Sequence, residues 1–232
     1  MNANPSVTAI IAAGGNGSRM GAAVPKQFLD LCGIPILART IEIFDKSPEI
    51  ADIILAIPDG YEQYVRENIL GPRNFGKCRS VVTGGRDRMA SVYAGIRAAS
   101  GDTEILIVHD GVRPFTSGRE ISRVIAGAGR YGACAPAVRL KETLKYCPDG
   151  DFAEATPDRD EFRLIQTPQA FRFEIIKEAY EYAVGNGLYA SDDASVAEMI
   201  GVKTYLVDGN YDNIKITTVE DTIFAEAMVK KV

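Results

Sequence analysis

The segment from Val7 to Phe28, VTAIIAAGGNGSRMGAAVPKQF, constrains this chain more than any other. An apolar run rich in β-branched residues reads as a buried strand. It empties into a loop holding Gly14, Gly15, Gly17 and Gly21, with Arg19 inside it and Lys26 just beyond. Glycine lets backbone N–H groups approach oxygens that a Cβ would hold away, and Arg and Lys add formal charge, so the segment suits a polyanion such as a triphosphate. Two familiar phosphate loops fail on residues. No Lys-Ser or Lys-Thr completes a Gly-x-x-x-x-Gly-Lys pattern, and Gly15-Asn16-Gly17-Ser18-Arg19 is followed by Met20 where a dinucleotide fingerprint needs its third glycine. A glycine-rich turn with solvated cations is the plain alternative.

Further along, apolar runs alternate with helix-like segments. Ile36 to Lys46 reads as helix, Ile53 to Ile57 as strand, Glu62 to Leu70 as helix and Ser80 to Thr83 as strand. Arg88 to Ser100, Glu104 to Val108, Glu120 to Arg130 and Ala133 to Val138 continue the pattern. This order predicts an α/β fold: a single Rossmann-like, mostly parallel sheet with helices on both faces, whose strand C-termini open into the ligand-bearing loops. The alternation breaks from Arg139 to Arg159. There Thr143 to Tyr146, a turn at Pro148-Asp149-Gly150 and Phe152 to Thr156 predict a polar hairpin projecting from the sheet. A projecting hairpin cannot cover both its faces alone, so a dimerisation arm over about 139–160, exchanged in a two-fold homodimer, is expected. Helices over Glu174 to Ala183 and Asp192 to Ile200, strands over Lys203 to Val207 and Ile214 to Ile216, and a last helix opened by a Thr217-to-Glu220 capping box complete the reading. No linker or repeat interrupts it, so the 232 residues are expected to form one domain.

Composition narrows the partners. A formal charge of −5 with no basic run argues against nucleic acid. Cys32, Cys78, Cys134 and Cys147 are widely spaced and His109 is the sole histidine, which fits reduced thiols and disfavours zinc. No basic leader precedes an apolar stretch and no run is long enough for a membrane span, so a cytoplasmic protein is expected.

Four further segments gather polar residues at predicted strand ends. Gly84-Gly85-Arg86-Asp87-Arg88 through Ser91 feeds a helix N-terminus, where backbone groups and the Ser91 hydroxyl suit a base edge; a plain turn with solvated arginines is an equal reading. His109-Asp110-Gly111-Val112-Arg113-Pro114 follows an apolar strand, which puts the Asp110 carboxylate where it can hold Mg²⁺ or a substrate hydroxyl, with Arg113 beside it for phosphate. A lone histidine carries no metal cluster, so His109 reads as a hydrogen-bonded structural residue. Thr143, Arg159 and Thr167 supply hydroxyls and a guanidinium suited to a polyol phosphate, or else a solvated surface. Lys215 lies among apolar residues in Asp212-Asn213-Ile214-Lys215-Ile216, where burial demands an anion.

Ala12-Ala13-Gly14 through Arg19-Met20, Pro25-Lys26-Gln27, His109-Asp110 with Arg113-Pro114, Thr167-Pro168-Gln169 and Asp212-Asn213-Ile214-Lys215 occur in the order seen in the 2-C-methyl-D-erythritol 4-phosphate cytidylyltransferases, which the chain resembles over nearly its whole length. The resemblance implies transfer of CMP from CTP to methylerythritol phosphate, with release of pyrophosphate and Mg²⁺ as cofactor, in the non-mevalonate isoprenoid pathway. It assigns catalytic charge roles to Arg19, Lys26 and Lys215, and a nucleotide pocket to Ala12, Ala13, Gly14, Gly15, Gly17, Gly85 and Ser91. Asp110, Arg113, Thr143, Arg159, Thr167 and Ser191 would hold the acceptor, Thr143 and Arg159 reaching it from the neighbouring subunit's arm, and Asp110 would also meet the metal.

The sequence departs from that pattern at Glu142, where aspartate is usual, and at Ser191, where threonine is usual, while Val112-Arg113-Pro114-Phe115 and Lys26-Gln27-Phe28 look like the ribitol 5-phosphate cytidylyltransferases. Thr156-Pro157-Asp158-Arg159 and the arm's Thr-Leu-Lys look like the methylerythritol enzymes. Ribitol 5-phosphate as acceptor, a catalytically silent nucleotide-binding regulator and, more distantly, an NAD-dependent oxidoreductase are the competing readings.

Overall fold

The computed structural model describes residues 5–15 and 24–230. In chain order the elements are β1 (Val7–Ala12), β2 (Asp30–Leu31), β3 (Ile34–Pro35), α1 (Ile36–Lys46), β4 (Asp52–Ile57), α2 (Glu62–Tyr64, continued as a π-helix over Val65–Leu70), β5 (Cys78–Thr83) and α3 (Arg88–Ala98). They continue with β6 (Ile105–Asp110), α4 (Gly118–Tyr131), β7 (Ala133–Arg139), β8 (Arg163–Ile165), β9 (Gln169–Arg172), α5 (Phe173–Gly185), α6 (Asp193–Glu198), β10 (Tyr205–Asp208) and α7 (Val219–Val229).

Strand side chains alternate between faces, and here both faces are apolar. Ala9 and Ile11 of β1, Ile53 and Leu55 of β4, and Ile105 and Ile107 of β6 pack with α1, α2 and α4. Ile10, Ile54, Leu106 and Val108, one register position away, pack with α3, α5 and α6. The sheet is therefore covered on both sides. Its order is β10-β7-β9-β6-β1-β4-β5, with β8 beside β7. Pairs β1–β4, β1–β6, β4–β5 and β10–β7 are parallel, whereas β9 runs antiparallel to β6 and β7. This is the mostly parallel α/β sheet expected. Register aligns Ala12 of β1 with both Ala56 and Asp110, so the loops after β1, β4, β5 and β6 open on one rim.

Several expectations need correction. Ile214 to Ile216 is not a strand: it is an extended segment docked by a hydrogen bond from the Ile216 N–H to the Val112 carbonyl (3.0 Å), with Ile216 fully buried. The capping box of α7 sits one residue later, with Thr218 as cap and Asp221 as its partner, because Asp221 also accepts from Thr217. Strands β8 and β9 and the β2–β3 ribbon were not anticipated. The ribbon turns on Cys32 and Gly33, both at positive φ, the conformation a two-residue hairpin requires.

The arm is a hairpin in outline only. One antiparallel bridge, Tyr146 with Ala155, joins its limbs, and Lys145 Nζ donates to Thr156 Oγ1 at 2.5 Å. Phe152 is 80% exposed and Tyr146 58% exposed, so within this chain nothing apolar covers these residues and a longer ladder has no support.

Candidate active site

Two adjoining clefts open at the strand C-termini. The larger, about 660 Å³, is walled by the β1 loop (Ala12 to Gly15), Lys26, the β5–α3 turn (Gly84 to Ser91), Asp110 and Lys215. The smaller, about 380 Å³, is bordered by Arg113, Thr167, Gln169 and Ser191. Arg88, Asp110 and Lys215 border both, and so form the seam between them.

The wall of the larger cleft is set by close backbone approach. A Cβ on Gly14 would come within 2.5 Å of Ser91 Oγ, and one on Gly85 within 2.3 Å of Ala90 Cβ. Ser91 Oγ donates to the Asp87 carbonyl (2.7 Å) and accepts from the Gly85 N–H (3.1 Å), so its proton goes to shaping the turn. Asp87 caps α3 by accepting from the Ala90 N–H. On the opposite wall the buried Gln27 side chain donates to the carbonyls of Ala13 (2.6 Å) and Gly15 (3.0 Å), tying the turn that carries Lys26 to the β1 loop. Gly17 and Arg19 lie outside the described residues.

The seam is a charge cluster. Asp110 is the last residue of β6 and follows Leu106 and Val108 onto the α3 face. Arg88 Nε donates to Oδ1 at 3.0 Å, while Arg113 Nε (3.2 Å) and Lys215 Nζ (2.9 Å) donate to Oδ2. Burial alone would push the carboxyl up; Arg88 first, then Lys215 and Arg113, outweigh it and hold Asp110 well below the usual carboxylate range. Arg88 also grips Asp193 through Nη1 (3.1 Å) and Nη2 (2.7 Å), and the Tyr180 hydroxyl donates to the same fully buried carboxylate at 2.6 Å. Burial would weaken the Arg88 charge, but Asp193 and Asp110 raise its pKa well above the ordinary value. Burial and then Asp193 push the Tyr180 phenol up as well.

His109 points the other way, onto the α1 face, its ring 4.8 Å from that of Phe44. Its Nδ1 lies 3.0 Å from Thr167 Oγ1 and its Nε2 lies 3.1 Å from the Arg113 carbonyl, while the Asp110 N–H donates to Thr167 Oγ1 at 3.1 Å. A neutral ring with its proton on Nε2 satisfies the whole chain, with the Thr167 hydroxyl donating to Nδ1. Burial accordingly lowers the His109 pKa to about 4. The Asn213 side chain donates to the Thr167 carbonyl (2.8 Å) and the Asn213 carbonyl accepts from Arg113 (2.8 Å), which anchors the strap carrying Lys215.

The structure thus brings together Ala12 to Gly15, Lys26, Gly85, Ser91 and Lys215 in one cleft and Asp110, Arg113, Thr167 and Ser191 around the other. Thr143 and Arg159 do not join them; both are exposed on the arm, where Arg159 donates to the Lys141 carbonyl at 2.8 Å. Among the described residues no group of three or more His, Cys, Asp or Glu side chains is placed to hold a metal ion. Burial raises the Cys78 thiol to about 12 and the Cys134 thiol to about 11, and neither borders a cleft. Sequence reasoning missed Arg88, Asp193 and Gln27 as parts of the site. Arg88 follows a helix cap at a strand end, which is a signal of position, but nothing local marks its partner Asp193.

A family model described as 2-C-methyl-D-erythritol 4-phosphate cytidylyltransferase matches residues 7–231. The enzyme of that name from Desulforamulus reducens is 44% identical over 97% of each chain. The Geobacter metallireducens enzyme is 42% identical over 97% of this chain and 98% of its own. Among solved structures, 4-diphosphocytidyl-2C-methyl-D-erythritol synthase from Anaerococcus prevotii superposes with a TM-score of 0.87 at 34% identity, covering 98% of this chain and 97% of that one.

Proposed function

The chain belongs to the 2-C-methyl-D-erythritol 4-phosphate cytidylyltransferase family, and from that premise we infer that it transfers CMP from CTP to methylerythritol 4-phosphate, a step of isoprenoid biosynthesis. The observation that carries the reading is the pair of clefts sharing Arg88, Asp110 and Lys215, one suited to a nucleotide and the other to a smaller phosphorylated polyol. An acceptor phosphate oxygen forms the new bond to the α-phosphorus as the bond to the β-phosphate oxygen breaks, and pyrophosphate leaves. The acceptor phosphate is already an anion at neutral pH, so no general base is required. Catalysis is alignment and neutralisation of crowded charge.

In our assignment Arg19 and Lys26 hold the triphosphate, and Lys215 meets charge at the reacting phosphate. Ala12, Ala13, Gly14, Gly15, Gly17, Gly85 and Ser91 shape the nucleotide pocket. Asp110, Arg113, Thr167 and Ser191 receive the acceptor, and Thr143 and Arg159 reach it from the arm of a second subunit in a homodimer. The arm's exposed Tyr146 and Phe152 support that pairing. Mg²⁺ does not fit as a resident ion among the described side chains: Asp110 is the carboxylate at the seam and both its oxygens already face cations. We place the metal on the triphosphate, as part of the nucleotide substrate. No helix among the described residues is long and apolar enough to cross a membrane. We assign the protein to the cytoplasm, consistent with four unpaired cysteines.

The test is pyrophosphate release with CTP and each acceptor in turn. Methylerythritol 4-phosphate is expected to turn over and ribitol 5-phosphate is not. Turnover of ribitol 5-phosphate alone overturns the acceptor; CTP binding without turnover of either overturns the activity.

A further inference from the structure

Arg88 differs from the other two cations that meet Asp110. Its Nε holds Asp110, and its two terminal nitrogens hold Asp193, so its hydrogen bonds run to two carboxylates on separate elements. Lys215 has one carboxylate contact and a side chain still 36% exposed to the clefts, which leaves it able to turn toward a phosphate. The elements that Arg88 joins are the two walls of the site. It opens α3, whose first turn with Gly85 and Ser91 faces the larger cleft. Asp193 opens α6, directly after Ser191 and Asp192 on the rim of the smaller one. Gln169 steadies that second wall by donating to Asp192 Oδ2 (2.8 Å) and accepting from the Ala194 N–H (2.9 Å). Tyr180 holds Asp193 from beneath.

We propose that Arg88 is a positioning residue that ties α3 to α6 through Asp193 and keeps Asp110 fixed at the seam, so that nucleotide and acceptor stay aligned when Lys215 leaves Asp110 for a phosphate. The proposal rests on the cytidylyl-transfer reading. A buried carboxylate that loses a partner is costly unless others remain, and an arginine fork locked onto a second carboxylate is a counter-ion that does not follow the substrate. Arg113, whose Nη1 is held by the Asn213 carbonyl, supports Asp110 from the other side.

The test compares wild type, Arg88→Lys, Asp193→Asn and the double variant by steady-state kcat and KM for methylerythritol 4-phosphate, by calorimetric titration with CTP, and by thermal unfolding. Lysine keeps the charge and loses the fork. Arg88→Lys should lower kcat on the order of 100-fold, the scale of a misalignment of about 1 Å, with CTP affinity near that of wild type. Asp193→Asn should show the same pattern with a smaller loss, and the double variant should lose no more than Arg88→Lys alone, because the two side chains act as a unit. Should Arg88→Lys fail to fold, Tyr180→Phe removes a single bond to Asp193 and should lower kcat several-fold with CTP affinity retained. Unchanged kcat with only a lower melting temperature, or CTP affinity falling in step with kcat, overturns the proposal. A wild type inactive in the same assay overturns instead the activity beneath it, and an active wild type with equally active variants overturns the proposal alone.

Discussion

The seam and the arm carry the same kinds of side chain in opposite circumstances. In and beside the seam, Arg113 and Thr167 have fixed partners and little freedom, and Lys215 is paired with Asp110 while its side chain stays open to the clefts. On the arm, Arg159 and Thr143 are exposed, and the limbs meet at a single bridge. Side-chain chemistry alone therefore does not make a site; it needs a surface that removes water and fixes geometry. The seam has that surface within the protomer, whereas in our reading the arm finds it only against a second subunit.

The largest expected effect lies at the seam. Asp110→Ala leaves Arg113 and Lys215 without their carboxylate, beside an Arg88 that keeps only Asp193, and should destabilise the fold by about 3–5 kcal/mol in chemical denaturation. Lys215→Ala should lower kcat on the order of 100- to 1,000-fold, the loss of a charge aimed at the transition state, and move thermal unfolding far less. Comparable losses of stability and turnover would blur the distinction between holding and reacting.

His109 tests the seam by pH. Its folded pKa, about 4, lies below the ordinary value of 6.5, so the neutral ring stabilises the fold above pH 6.5, and that stability is lost as pH falls from 6.5 toward 4. The loss amounts to about 3 kcal/mol, and His109→Gln should flatten the fall across that window in urea titrations. The arm should respond differently. Arg159→Ala should cut kcat/KM for the acceptor roughly ten-fold or more, as for one charge-assisted hydrogen bond, without altering thermal unfolding. Mixing Arg159→Ala with Lys215→Ala should restore about a quarter of wild-type activity if arms exchange, because half of randomly re-paired dimers then hold one intact site. No recovery would place both residues in the same protomer's site.

The sheet was legible because β1, β4 and β6 are apolar on both faces, a pattern only a doubly covered strand produces. Strands β8 and β9 were not, because three or four residues carry little periodicity and their ladders form with strands remote in sequence. Lys215 was misplaced on a strand because Ile214 and Ile216 alternate correctly; Ile216 instead docks by one backbone hydrogen bond to Val112 and by burial against Leu31, Ile36 and Ala225, with no ladder. The candidate site was legible wherever glycine or charge stood at a strand end, as at Gly14, Gly85 and Asp110. The pairing of Arg88 with Asp193 was not legible because they are 105 residues apart and neither element alone reveals it.

In our reading cytidylyl transfer is a single in-line displacement at the seam, with the protein aligning and neutralising the reactants and forming no bond to them. The direct measurement is the configuration at phosphorus after turnover of CTP carrying a chiral α-thiophosphate. Inversion in the cytidylyl product is expected from such a displacement. Retention would require a covalent nucleotidyl intermediate, and would contradict it.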